Sequence, residues 1–457
     1  MTGPSRRNLL TFGALGAGSL ILPWTRPALA DKAAEDPHYF LFVMLGGGAD
    51  ASYIYDARPL SMTAAGRIQN YVGKEPALVQ GRNGTSCRAS QLMQPLARLR
   101  DRFSVLNGVF MTPSFDGHLQ NVNFLMTGEP FGGESFVPHL NGQTSGRKPD
   151  LLDAIEPTNQ IMCNLTNNAR VVSLGPQSVA SLAQQLRNVA PVQPGDELMD
   201  FVRGRISANA AGPGRFAGGA GAMLSGLAMT GEMHRRLAQL QRPDPAGSVE
   251  DQSVSLMAQC FRLGIARSAV YLLPEDFDVH SPELARRQPR MFATAMDRLV
   301  ALFDGLIETP YDSKRSLLDV TTVMVASEFS RTLRSPDAPI DNTGTNHNPY
   351  CNTILLGGKG VRPGMVVGAS DLADERAVAS AAHLSLDPKL EKAMGRPFDF
   401  QKLQPRTDSP QVFDIRDYLT VASVVNTVYS LFDVPRERWR NVGRDLPTAS
   451  VLQGLLA

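Results

Sequence analysis

The sequence carries almost no net charge: Lys+Arg 45 against Asp+Glu 44 leave +1 over 457 residues. Nucleic-acid binding draws on a basic field that neutralises phosphates, so this balance sets that class aside. Cysteine is scarce as well, with Cys87, Cys163, Cys260 and Cys351 scattered and no C-x-x-C spacing among them. Disulfides and free thiols both stay open on that count. There is no internal repeat and no heptad run. The G-x-S-x-G elbow of serine hydrolases is missing, and the 7 histidines fall in no recognisable Ser/Asp/His order. Beyond the N-terminal leader, no stretch is long and apolar enough to span a bilayer, which takes about 20 residues.

What is present begins with that leader. Ser5-Arg6-Arg7-Asn8-Leu9-Leu10 pairs two arginines ahead of an uncharged run from Leu9 to Pro23, and Ala28-Leu29-Ala30 closes it. A positive start, a short apolar run and an A-x-A site are the three parts of a secretory signal, and the arginine pair points to the twin-arginine variant. The expectation is a signal peptide over residues 1–30, export by the twin-arginine machinery, and a periplasmic or secreted mature chain from Asp31 with no membrane span. An N-terminal membrane anchor is the alternative; the apolar run is short for it.

The mature chain has the length and, at 43% hydrophobic residues, the composition for a large core. Apolar runs at Tyr39 to Leu45, Phe103 to Val109, Arg170 to Leu174, Ala269 to Leu273, Thr321 to Ala326 and Asn352 to Leu356 read as strands. Several are continuous rather than alternating, the mark of strands covered on both faces. Helices are expected at Ala89 to Arg102, Pro289 to Leu306 and Ile415 to Leu431. Buried strands separated by helices give an α/β fold, layered around a mostly parallel sheet. Residues 191–242, broken by the Gly/Ala-rich patch Ala208 to Gly226, read as a helical insertion over the sheet or a plain helical connector. Gly128 to Pro149 reads as a long surface loop.

Four groups of metal-competent residues stand just beyond expected strands, where ligands gather in open α/β sheets. Gly46-Gly47-Gly48-Ala49-Asp50 allows a tight turn that aims Asp50 back over the sheet edge. Phe277-Asp278-Val279-His280 puts a carboxylate and an imidazole two apart, on one face if the segment is extended. Ser327-Glu328-Phe329-Ser330-Arg331 spaces an acid and an arginine by three, a metal ligand and a clamp for a phosphate or sulfate, or an internal pair. Asn342 to Asn348 presents His347 in a turn-rich loop. Carboxylate and imidazole donors from separate strand ends suit zinc, manganese or iron better than calcium.

In combination these strings resemble a known family. VASEFSRT, NTGTNHNPY and LLGGKGVRPGMVVG are similar to the C-terminal signature of the twin-arginine-exported domain of unknown function 1501, and FVMLGGGAD and DFDVHS to its first strand and D-x-H motif. The likeness runs from about Tyr39 to Val434. That family is related to the alkaline phosphatase and sulfatase superfamily, so the resemblance implies an alkaline-phosphatase-like three-layer α/β sandwich with one or two metals at the strand ends. The segment from RFSVLNGVF to HLQNVNFLMTGEP resembles the sulfatase stretch that carries the nucleophile. Counting back from Thr127-Gly128 places that nucleophile on His118, which cannot be a formylglycine precursor. Thr85-Ser86-Cys87-Arg88 looks superficially similar but lacks the following helix and reads as loop.

The departures thin the metal set: Glu328-Phe329 stands where the superfamily has Asp-His or Asp-Asn, Asn346-His347 where the family has Asp-His, and Tyr53 where one branch has an acid, with Asp56 retained. They imply one divalent ion or none. On this reading Asp50, Asp278, His280, Glu328 and His347 hold the ion, His118 is a nucleophile or a general acid or base, and Arg331 stabilises charge on the anion. The implied activity is metal-dependent hydrolysis of phosphate or sulfate esters, on an anionic small molecule or glycan. A non-catalytic ligand- or partner-binding protein with the same fold is the alternative.

Overall fold

A computed structural model describes residues 37–61, 74–111, 117–130, 135–143, 152, 154–157, 171–173, 232–332, 345–372, 393–408, 414–439 and 449–457. The expected leader, the Ala208 to Gly226 patch and most of the expected 191–242 insertion lie outside these residues; 232–237 of that insertion are helical.

The sheet has eight strands: β1 (Tyr39–Met44), β2 (Phe103–Asn107), β3 (Ala154–Glu156), β4 (Val171–Ser173), β5 (Ser268–Leu272), β6 (Thr321–Ala326), β7 (Thr353–Gly358) and β8 (Val366–Val367). Their spatial order is β8-β2-β7-β6-β1-β5-β3-β4. Every neighbouring pair is parallel except the two made by β7, which runs against β2 and β6. Each apolar run read as a strand is one, and the fold is the α/β class with a mostly parallel sheet.

All six residues of β1 are buried, and their alternation sorts the two faces of the sheet. Leu41 and Val43 join a core with Met257 and Phe261 of α3 (Val249–Arg262) and with Phe292, Leu299 and Phe303 of α4 (Pro282–Glu308). Phe40, Phe42 and Met44 join the opposite core. There they meet Phe124 of α1 (His118–Thr127), Phe136 and Val137 of α2 (Phe136–Gln143), and Val424 and Val428 of α5 (Val421–Leu431). Helices on both faces explain the unbroken apolar runs: neither side of these strands reaches water. Among the described residues no helix is long and apolar enough to cross a membrane, and Cys87, Cys260 and Cys351 carry free thiols.

Several helix expectations shift for local reasons. The segment expected as a helix at Ala89 to Arg102 is a 3-10 helix at Gln91–Leu99 with Pro95 inside it; proline lacks the N–H that a regular α-helical ladder needs. The helix expected to start at Pro289 starts at Pro282, because Ser281 caps it and proline suits the first helical position. The helix expected from Ile415 begins at Val421, where the Thr420 side chain accepts from Ser423 N–H. Gly128 to Pro149 is not all loop, since α2 lies within it. Ser86 to Arg88 belong to a strand, Ser86–Ala89, paired antiparallel with Ala77–Gln80.

The α3 helix opens with a full capping box, Ser248 and Asp251 each accepting from the other's backbone N–H. Ser248→Ala removes one half of it on an exposed turn. The expected cost is about 1 kcal/mol, read as a lower denaturation midpoint with an unchanged slope.

Candidate metal centre

Parallel strands end at a common edge, and β1, β5 and β6 are neighbours in register: Met44 lies opposite Leu272 on one side and Ala326 on the other. The segments that leave them, Gly46 to Asp50, Leu273 to His280 and Ser327 to Arg331, therefore emerge together. Because β7 is antiparallel, it is its N-terminal approach that reaches this edge. His347–Asn348 pair with Ser330–Arg331 as a two-residue ribbon. Thr345 N–H donates to Val279 O at 2.9 Å, which ties the loop before β7 to the loop after β5. The N-terminus of α1, which follows β2, adds His118.

Four side chains converge there. One donor atom each from His118, Asp278, His280 and His347 lies within 4.8 Å of all the others. Nε2 of His280 is 2.9 Å from Nε2 of His347 and 3.0 Å from Oδ1 of Asp278, and Nε2 of His118 is 3.3 Å from that same oxygen. The rings of His118 and His280 are 4.5 and 4.7 Å from that of His347. A tetrahedron of ligands at about 2.0–2.1 Å from zinc has edges of roughly 3.3 Å, so the donor set fits one ion. Side-chain exposures of 31% for His118, 39% for Asp278 and 47% for His280 leave the cluster open on one side.

Arg331 forms the floor. Its side chain is wholly buried, and its Nε donates to Gly48 O at 3.1 Å while Nη2 donates to Gly47 O and, at 2.7 Å, to Asp278 Oδ1. Nη1 stands 3.4 Å from His280 Nε2 and Nη2 3.5 Å from His118 Nε2. Most of its donors are committed to the protein, so Arg331 works first as a strut and as a fixed charge beside the cluster. The glycine turn permits this: Gly47 and Gly48 have φ of +88° and +76°, a region that L-residues rarely adopt. A Cβ on Gly47 would stand 2.5 Å from the backbone nitrogen of Asp278, and one on Gly48 2.3 Å from the Phe329 ring.

Two expected ligands fall outside the donor set. Asp50 is buried and its Oδ1 accepts from the Ser52 N–H at 2.9 Å and the Ser52 hydroxyl at 2.7 Å, capping a 3-10 turn. Glu328 is turned to support: Oε1 accepts from Gly47 N–H at 2.9 Å and lies 2.8 Å from His118 Nδ1. Asp278, His280 and His347, read as ligands from the sequence, lie together in the donor group. His118, read from the sequence as nucleophile or acid–base, stands there too. At Phe329, where the resemblance implied that a superfamily ligand is missing, the ring packs 4.8 Å from His118 and 4.5 Å from His347. No sequence signal marked that aromatic wall. Asn346 Oδ1 accepts from the His347 N–H at 2.8 Å.

The electrostatics follow from these contacts. Burial works against a charge on His118, but the Glu328 hydrogen bond and the charges of Glu328 and Asp278 outweigh it and raise its pKa. Burial and the adjacent Arg331 push His280 down. For Asp278 burial acts upward, and the Arg331 hydrogen bond and charge, with both imidazoles, bring it below the usual carboxylate value.

A model of the family described as Protein of unknown function (DUF1501) matches residues 152–387, over half of the chain. The chain belongs to this family. The matched span contains Asp278, His280, Glu328, Arg331 and His347, and His118 precedes it. No curated protein matches. Among solved structures, the chain is similar to a lipoteichoic acid synthase from Listeria monocytogenes at 10% identity and a TM-score of 0.35, covering 91% of this chain and 77% of that one. It is also similar to a protein in the alkaline phosphatase superfamily from Vibrio parahaemolyticus, at 11% identity, TM-score 0.31, with 90% and 80% covered. A putative sulfatase from Bacteroides thetaiotaomicron matches at 9% identity, TM-score 0.29, with 92% and 75% covered.

The turn is a place where a single methyl group tests the site. Gly48→Ala combines a left-handed backbone penalty of about 1–2 kcal/mol with the Phe329 contact. It is expected to lower the unfolding temperature and to weaken zinc binding measured by competition with a chromophoric chelator.

Proposed function

We propose that this protein is a metal-dependent hydrolase of phosphate or sulfate esters, built around one divalent ion, zinc, manganese or iron, held by His118, Asp278, His280 and His347. The observation that carries the reading is the convergence of three imidazoles and one carboxylate within 4.8 Å. Imidazole and carboxylate donors suit these three metals. When bound, such an ion polarises an ester oxygen and lowers the pKa of a water it holds.

The chain's own groups do the rest. Arg331 keeps a positive charge against the donor atoms, where a phosphoryl or sulfuryl oxygen would develop negative charge. Phe329 walls one side and keeps water from the backs of His118 and His347. We place His118 among the ligands rather than as nucleophile because its Nε2 lies 3.3 Å from Asp278 Oδ1, within the cluster. The expected substrate is anionic, a small molecule or a glycan bearing phosphate or sulfate. The proposal includes export: the Arg6-Arg7 pair and the Ala28-Leu29-Ala30 site support handling by the twin-arginine machinery and a periplasmic or secreted location.

The test is purified protein assayed on aryl phosphates and aryl sulfates with added zinc, manganese or iron. Turnover that needs one of these metals, and that is lost together with metal retention in His280→Ala, is the expected result. Metal retained with no turnover on any ester would move the assignment to a non-catalytic ligand-binding protein.

A further inference from the structure

Glu328 is almost wholly buried, at 2% exposure, yet it contributes no atom to the four-donor group. Its two oxygens are surrounded by donors. Oε1 accepts from Gly47 N–H at 2.9 Å and faces His118 Nδ1 at 2.8 Å, and Oε2 faces the Ser327 hydroxyl at 3.0 Å. Ser327 in turn is anchored to the end of β1, with Ala49 N–H 2.8 Å and Leu45 O 2.7 Å from its Oγ. The carboxylate is therefore pinned between the ends of β1 and β6 and cannot swing over to join the cluster.

We infer that Glu328 is a positioning residue, which holds the proton of His118 on Nδ1 so that the Nε2 lone pair faces the metal cluster. Carboxylate oxygens face both ring nitrogens of His118, but only Glu328 Oε1, 2.8 Å from Nδ1, stands in hydrogen-bonding geometry, whereas Asp278 Oδ1 is a looser charge contact 3.3 Å from Nε2, so the hydrogen belongs to Nδ1. A neutral imidazole protonated on Nδ1 has its one ring lone pair on Nε2. That atom lies 3.5 Å from Arg331 Nη2 and 3.3 Å from Asp278 Oδ1, on the cluster side of the ring. Carboxylates behind ligating histidines fix ring orientation and raise ligand basicity, and their loss typically costs about 10–100-fold in metal affinity. The inference rests on the proposed metal site for its consequence, but the tautomer itself can be read without metal.

The experiment uses the full chain, labelled with nitrogen-15 and stripped of metal with chelator. Imidazole nitrogen resonances are recorded at alkaline pH, and His118 is assigned by the signals lost in His118→Gln. Wild-type protein is expected to show Nδ1 protonated and Nε2 bare. Glu328→Gln is expected to shift His118 toward the other tautomer and to weaken zinc binding about 10–100-fold, with Glu328→Asp recovering part of the loss. A wild-type His118 protonated on Nε2, or zinc affinity unchanged by Glu328→Gln, overturns the inference. If Glu328→Gln does not fold, the wild-type tautomer decides alone. If wild-type protein binds no zinc, the proposed hydrolase reading fails while the metal-free tautomer still judges this one.

Discussion

A guanidinium with no access to water must find its partners inside the protein, and at this sheet edge that requirement organises everything else. Arg331 is among the largest of the fully buried side chains. It satisfies itself on Gly47 O, Gly48 O and Asp278 Oδ1, three groups that arrive from two different strand ends. Removing one partner of a buried charge is typically far more costly than the pair is stabilising. The glycine turn, Asp278 and the strand end carrying Arg331 are thus held as one unit. The donor cluster sits on that unit, with Asp278 held in it by the Arg331 ion pair.

The same arrangement fixes the sign of the site. Arg331 lends a fixed positive charge, and Asp278 and Glu328 supply negative charge beside the imidazoles. Glu328 does so from behind, through His118, while Asp278 does so directly. Phe329 packs against His118 and His347 on one side of the cluster, and His280 is 47% exposed on the other. On the proposed function, a bound cation, the fixed guanidinium and one open side would suit an anionic ester better than a neutral one.

Much of this was legible in the sequence because the chemistry of a buried parallel strand is written locally. Tyr39 to Leu45 is apolar throughout and Val323 to Ala326 likewise, the pattern of strands buried on both faces. Strand ends follow from strands, so the segments that carry Asp278, His280, Arg331 and His347 are legible in the sequence. What could not be read was the division of labour at the edge. Asp50 and Glu328 look like ligands in sequence. Whether a carboxylate faces an ion or a backbone N–H depends on which loop lies beside it, and Ser52 and Gly47 decide that in three dimensions. His118 reads in sequence as a nucleophile or an acid–base group, and nothing in its own segment shows that Asp278, His280 and His347 stand beside it across the sheet edge. Helix starts were missed for a smaller reason: capping by Ser281 and Thr420 depends on one side chain, and it outranks the periodicity around it.

Residues 278–347 supply three of the four donors within a span matched by the family model, and His118 completes them from outside it. The account therefore stands or falls on whether these four side chains meet at one ion. X-ray absorption at the zinc edge of the zinc-loaded protein reads that coordination sphere directly. The account predicts a shell of light nitrogen and oxygen scatterers at about 2.0–2.1 Å with the outer-shell scattering of several imidazoles and none of sulfur. A sphere without imidazole scattering would contradict it.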